Sequence, residues 1–130
     1  MKLKNILSIL VVCFSFAFSG IAQEKYATSQ SRDDLRKANQ TGTYTFVIPE
    51  KITAEDVALS AEFYTVYFTV DFDASKHRVV LKLNGLEEKN RQVIARFFIS
   101  LGIRQIMVDN ELYEVQDFYS KFLSQAKTDK

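Results

Sequence analysis

The sequence is poor in the side chains that most often do chemistry. It has one cysteine and one histidine in 130 residues, and Lys and Arg (17) nearly balance Asp and Glu (16). With one imidazole, no cluster of histidines can hold a metal. Cys13, the single thiol, lies inside the N-terminal apolar run. Without a block of one charge sign the chain has no electrostatic footprint for nucleic acid and no polybasic patch for an anionic membrane. The apolar run itself, Ile6 to Phe18, is about 13 residues, against the ~20 a membrane-spanning helix needs.

That run is nonetheless informative. Lys2 and Lys4 precede it, and Gly20 and Ala22 stand three and one positions before the polar Gln23-Glu24-Lys25. A charged start, a short apolar stretch and a small-x-small end make a secretory signal peptide of bacterial style, expected to be cut after Ala22. Residues 1–22 are therefore expected to direct the chain to the periplasm or outside the cell, leaving no stable membrane anchor. Cutting removes Cys13, Lys2 and Lys4, so the mature formal charge moves from +1 to about −1. It also leaves no disulfide and no cysteine nucleophile, and stability must come from packing.

From Gln23 to Gly42 the chain is polar, with Tyr26 and Leu35 its only large apolar residues, and reads as a flexible leader (23–42). Ser31-Arg32-Asp33-Asp34 has the chemistry to cap a short helix there. The folded unit is expected over 43–124. Tyr44, Phe46 and Ile48 alternate with Thr43, Thr45 and Val47 as a strand, ended by Pro49. Thr53-Ala54-Glu55-Asp56 is a capping box ahead of a helix over 54–62. From Tyr64 to Asp73, Val66, Phe68, Val70 and Phe72 point one way and Thr65, Tyr67, Thr69 and Asp71 the other, which predicts a half-buried strand. Ala74-Ser75-Lys76 turns the chain into a second strand, His77 to Leu83, closed by Asn84-Gly85.

Val93, Ile94, Phe97, Phe98 and Leu101 recur at helical steps and predict a core-facing helix from Glu87 to Leu101, with Gly102 as its left-handed cap. Ile103 to Val108 is a strand and Asp109-Asn110 a turn. Val115, Phe118, Phe122 and Leu123 predict a C-terminal helix, and 125–130 is a polar tail. Strand, helix, strand, strand, helix, strand is the order of an α+β ferredoxin-like βαββαβ sandwich, here with an extra C-terminal helix.

Over roughly Thr43 to Asp109 the chain resembles the heavy-metal-associated domain of copper chaperones and metal-pumping ATPases. Val47-Ile48-Pro49 and Ile52-Thr53-Ala54-Glu55-Asp56-Val57 resemble that family's metal loop, and Phe68-Thr69-Val70-Asp71, Val79-Val80-Leu81 and Val93-Ile94 through Ile103 resemble later elements. Ala54 and Val57 stand where the family has its metal-binding Cys pair. The resemblance therefore implies the fold, and it implies a soft-metal site that these side chains have no sulfur to form.

No catalytic, metal-binding or cofactor-binding residue is expected. Asp71, Phe72 and Asp73 begin like a calcium loop, but Lys76 and Lys82 occupy its Gly and Glu positions. His77 has no recognisable nucleophile beside it. Val47, Tyr67, Val80 and Met107 are expected on the sheet face away from the core, where they would meet a partner protein or be covered by Phe118 and Phe122 of the last helix. The function expected is thus a small exported, non-enzymatic, protein-binding domain with no cofactor. The alternative is a degenerate heavy-metal-associated domain that handles metal through oxygens such as those of Asp71, Asp73 and Glu111.

Overall fold

The computed structural model describes residues 26–124; the expected signal peptide and polar tail lie outside them. The fold is mixed α+β. Its strands are β1 (Tyr26–Ser29), β2 (Thr43–Val47), β3 (Phe68–Asp73), β4 (Arg78–Leu83), β5 (Gln105–Val108) and β6 (Glu111–Glu114). Its helices are α1 (Arg32–Thr41), α2 (Ala54–Ala61), α3 (Glu88–Ser100) and α4 (Val115–Phe118). A 3-10 turn, Glu62–Tyr64, extends α2, and a widened turn, Tyr119–Leu123, extends α4. Among the described residues no helix is long and apolar enough to cross a membrane.

All six strands form one sheet in the order β3-β4-β2-β1-β5-β6. Every neighbouring pair is antiparallel except β1 and β5, which are parallel. The capping box on α2 forms as expected, with Thr53 Oγ1 accepting from the Asp56 amide and Asp56 accepting from the Thr53 amide. Gly42 and Gly102 end α1 and α3 with φ of 83° and 81°, values that suit glycine. The Asp109-Asn110 turn has positive φ at both positions, as a tight hairpin between β5 and β6 requires.

The main correction concerns the segment expected to be a flexible leader. Residues 26–41 supply a central strand and a helix, so the folded unit begins well before Thr43. Their polarity hid this for a physical reason. Strand β1 buries only Ala27 and is held by backbone pairing on both sides, and α1 buries only Leu35, Ala38 and Asn39. Ser31 does cap α1, accepting from the Asp34 amide at 3.2 Å. At the start of α1, Arg32 donates to Glu111 (2.9 Å) and to the Tyr113 hydroxyl (2.8 Å), tying the helix to the β5–β6 hairpin.

A second correction concerns β3. The alternation suggests a strand from Tyr64, but pairing starts at Phe68, and Tyr64 to Tyr67 form a tight turn closed by the Tyr67 amide on the Tyr64 carbonyl at 2.9 Å. Tyr64 stacks on Phe68 with ring centroids 5.9 Å apart and meets Phe97 edge-on. That packing holds the turn against the core and throws Val66 outward.

Alternation then sorts the sheet into two unlike faces. Phe68, Tyr44, Phe46, Val79, Leu81, Ala27, Ile106 and Val108 point into the core. The helices pack on this face, as the contacts of Phe98 and Phe118 with Phe46 illustrate. The opposite face carries Thr69, Asp71, Lys82, Thr43, Thr45, Val47, Thr28, Met107 and Leu112, half-buried or exposed. A two-layer arrangement with one solvated sheet face is common in antiparallel sheets.

The C-terminal segment docks on the helical face of its own sheet. Phe118 is buried there, Asn39 donates to the Phe122 carbonyl (2.7 Å), and the buried Arg91 donates through Nε to the Leu123 carbonyl (2.6 Å). The Tyr119 hydroxyl and Ser124 hydroxyl both donate to Glu88. Asn39 in turn accepts from the buried Tyr44 phenol, and burial pushes the Tyr44 pKa well above the ordinary tyrosine value.

Candidate protein-binding groove

The expected partner-surface residues divide into three groups. Val47, Val80 and Met107 do share the solvated sheet face, but β1 intervenes. Val47 lies opposite Thr28, and Thr28 opposite Met107, so Val47 and Met107 are separated by a threonine. Phe118 and Phe122 belong to the other face, where Phe122 meets Tyr113 edge-on at 5.2 Å and lies under the Arg32 guanidinium. They cannot cover Val47 or Val80; the last helix has apolar side chains because it closes the core. Tyr67 lies outside β3 and half-buried against the helical layer, beside α3.

Tyr67 there separates two adjoining concavities. The first, about 330 Å³, lies between Tyr67, the Lys89, Gln92, Val93 and Arg96 side of α3, and Gln116 and Tyr119 of the C-terminal segment. The second, about 560 Å³, is bounded by Val66, Asn84, Leu86 and Asn90. Tyr67 and Lys89 line both, so the two concavities adjoin and are taken together below as the groove beside Tyr67.

Both walls of the groove are fixed by side-chain amides and one arginine. Asn84 Nδ2 donates to the carbonyls of Thr65 and Val66, each at 2.9 Å, while its own amide donates to the Tyr67 carbonyl. Asn90 holds the Gly85 carbonyl at 2.8 Å, and Arg91 holds the Leu86 carbonyl at 2.7 Å. A groove shaped before binding loses little conformational freedom when filled.

Among the polar groups of Asn84, Glu87, Lys89 and Asn90, two large apolar side chains on its rim stand exposed, Val66 at 79 % and Leu86 at 52 %. Phe63, three residues before Val66 in the chain, is 80 % exposed. Leu59, one helical turn before Phe63, is also exposed. Burying large apolar side chains normally stabilises a fold by about 1.5–3 kcal/mol each, so several left exposed make this region the candidate for an interaction site. The deeper end differs. Lys89 lies 3.6 Å from Glu87, with both side chains largely in solvent, and the Arg96 guanidinium has no partner among the described residues. Burial, and then the bond to Glu88, raises the Tyr119 pKa, so its phenol stays protonated as a donor.

The residues weighed for metal binding or catalysis are dispersed. Asp71 and Asp73 sit on the β3 edge and Glu111 on β6 at the opposite edge, so this ligand set is not assembled. His77 takes a left-handed φ of 53° and bonds through Nε2 to the Ile52 carbonyl at 2.7 Å, with its ring edge-on to Phe72. Asp73 accepts from the Ser75 hydroxyl and amide, and the Ser75 hydroxyl first of all holds its carboxyl below the usual carboxylate range.

Phe63, Leu86, Lys89 and Arg96 were not singled out from sequence, and Val66, expected on the same strand face as Phe68, is instead exposed. A signal existed for Phe63. It lies four residues after Leu59 and off the Val57 stripe that faces the core. Val66 and Leu86 had no such signal, because their exposure follows from where the chain turns. Comparison of the chain with family models, with curated proteins and with solved structures finds no match.

Proposed function

We propose that this chain is a small exported, non-enzymatic domain that binds another protein through the groove beside Tyr67. The observation that carries the proposal is that Val66 and Leu86 stand exposed on a rim whose backbone is already held in place, with Phe63, three residues before Val66 in the chain, exposed as well. Export rests on the sequence of residues 1–22. A cut after Ala22 would fall before Tyr26 and leave the central strand β1 whole. The non-enzymatic reading is supported by His77 and Asp73, the best catalytic candidates, being engaged by the backbone and by a turn serine.

A ferredoxin-like origin for residues 43–108 is part of this reading. Setting β1 aside, the remaining order β3-β4-β2-β5 is antiparallel throughout, with α2 and α3 on one face. The resemblance to heavy-metal-associated domains would then be one of topology, with the metal loop replaced by the cap of α2.

Affinity capture from a periplasmic extract with three tagged mature proteins tests the binding reading. Wild type and Met107→Asp, on the solvated sheet face, should retain the same partner, and Phe63→Asp should lose it. Retention by Phe63→Asp with loss by Met107→Asp would move the interface to the sheet. Intact mass of the secreted chain should begin at Gln23. A full-length, membrane-retained product would refute export. Stoichiometric Cu(I) binding in competition with a strong chelator would favour the metal-handling alternative.

A further inference from the structure

The sheet ends on two unlike strands. At one edge β6 is short, has Glu111 and Glu114 at its ends, and has Glu111 and Tyr113 tied down by Arg32. Short length and charge are usual ways in which a fold keeps an edge from pairing with another chain. At the other edge β3 has six residues in unbroken register with β4, without proline, lysine or bulge. The Asn84 amide donates to the Tyr67 carbonyl, which makes Tyr67, Thr69, Asp71 and Asp73 the residues bonded to β4. By alternation the N–H and C=O groups of Phe68, Val70 and Phe72 face outward along the free edge. No other backbone group among the described residues pairs with them. Val70 and Phe72 pack on the core and yet stay half-buried.

An open edge of this kind accepts an extended strand, and the residues of β3 specify which. We infer that β3 pairs antiparallel with β3 of a second copy of this chain, about a two-fold axis through Val70, joining two sheets into one. Val70 then lies opposite Val70 of the second copy, and Phe68 opposite Phe72. Every outward N–H and C=O group of Phe68, Val70 and Phe72 is bonded, and the half-buried side chains gain apolar neighbours. A shift of one residue would set the core face of one strand beside the solvated face of the other. A shift of two either opposes Asp71 to itself, which like charge disfavours, or runs into the turn before Phe68 and leaves Phe72 unpaired. The register through Val70 instead sets Asp71 opposite the small Thr69 of the second copy, whose neighbour on β4 is Lys82. Asp71 and Lys82 are exposed, and neither side chain has a hydrogen-bond or ion-pair partner among the described residues. Two strand spacings, roughly 10 Å, separate them across the junction, a span that a lysine and an aspartate side chain bridge together. Symmetry makes that pair twice, so the free charges of this edge complement their own copies. One paired strand buries an area at the small end of specific interfaces, and the dimer is accordingly reversible.

Sedimentation of the chain from Gln23 onward, which holds the whole described fold and no cysteine, tests this pairing. Wild type should pass from monomer to dimer as its concentration rises, and less readily in strong salt. Thr69→Asp sets two acids face to face at both ends of the junction and should weaken the dimer about tenfold. Thr69→Lys, which faces Asp71 of the second copy, should strengthen it. Thr69 is exposed, so both variants should keep the wild-type unfolding midpoint at a dilution where all are monomeric. Under mild oxidation Val70→Cys should cross-link to itself faster than Asp71→Cys, because Val70 alone stands on the axis within disulfide reach of its copy. A wild type that stays monomeric at every concentration overturns the pairing. So does a dimer indifferent to Thr69→Asp, or faster cross-linking through Asp71→Cys.

Discussion

Phe63 and Phe118 are the same side chain, each on a short helical segment, and the fold treats them oppositely. Phe118 is drawn under the last helix against Phe46, and the turns after it are fastened by polar groups from α1 and α3. Phe63 is turned away from the core by Tyr64, which takes the inward place beside Phe68 and Phe97. The C-terminal end is thus closed by hydrogen bonds, and the Phe63 end is held open by them, since Asn84 pins the carbonyls of Thr65 and Val66 and leaves the side chain of Val66 in solvent. Burial makes Phe118 structural, and under the proposed function a rigid frame beside exposed apolar groups makes the Phe63 region the surface for a partner.

Mutations should separate the two ends by magnitude. Phe118→Ala should cost about 3–5 kcal/mol, as buried aromatic truncations do, read by urea unfolding. A cost near zero would mean that the last helix is not part of the core. Arg91→Ala should come next, at about 1–3 kcal/mol, because it strands the carbonyls of Leu123 and Leu86. Loss of protease protection confined to the C-terminal segment would show where that energy acts.

The closed end should also respond to alkali. The native Tyr44 pKa is raised by burial, so the folded state keeps the proton that the unfolded chain releases near the ordinary value of about 10. This contribution is fully present below that value and is lost progressively as pH rises above it toward the native pKa. Unfolding midpoints should therefore fall above about pH 10, and Tyr44→Phe should flatten the dependence. A wild-type midpoint insensitive to alkali would contradict the burial of the phenol. Smallest of all should be Phe63→Ser, with a change within about 0.5 kcal/mol as for ordinary surface positions. A loss comparable to that of Phe118→Ala would mean that Phe63 is packed, and the contrast between the ends would fail.

The parts of this fold that were legible in the sequence are those stabilised by large apolar side chains at regular spacing. Phe46, Phe68, Val79, Leu81, Phe97 and Phe98 were placed inward and are at the core or packed on it. Strand β1 was not legible, because a strand paired on both sides needs little more than Ala27 to fit, and backbone hydrogen bonding leaves no periodic trace. Helix α1 was legible at its Ser31 cap but was read as part of a flexible leader for a related reason. One of its three buried positions is Asn39, a residue that pattern reading counts as solvent-facing. The site was legible only through Tyr67, and for a different reason from the one that applies, since the alternation that put Tyr67 on the far sheet face does not survive the turn before Phe68. Side chains that matter because the chain bends, such as Val66 and Leu86, have no local signature.

The central place of β1 has a kinetic consequence. Tyr26 to Thr28 pair with Gln105 to Met107, so the two halves of the sheet are joined through partners from opposite ends of the chain. Such pairing requires a very large loop to close before it is rewarded, which slows folding. A ribosome will have made most of the polypeptide before β1 has its second neighbour. For a chain exported as proposed, that delay keeps the polypeptide threadable: the seam through the middle of the sheet cannot knit until β5 has been made, and a translocation channel would meet an open strand in place of a finished domain.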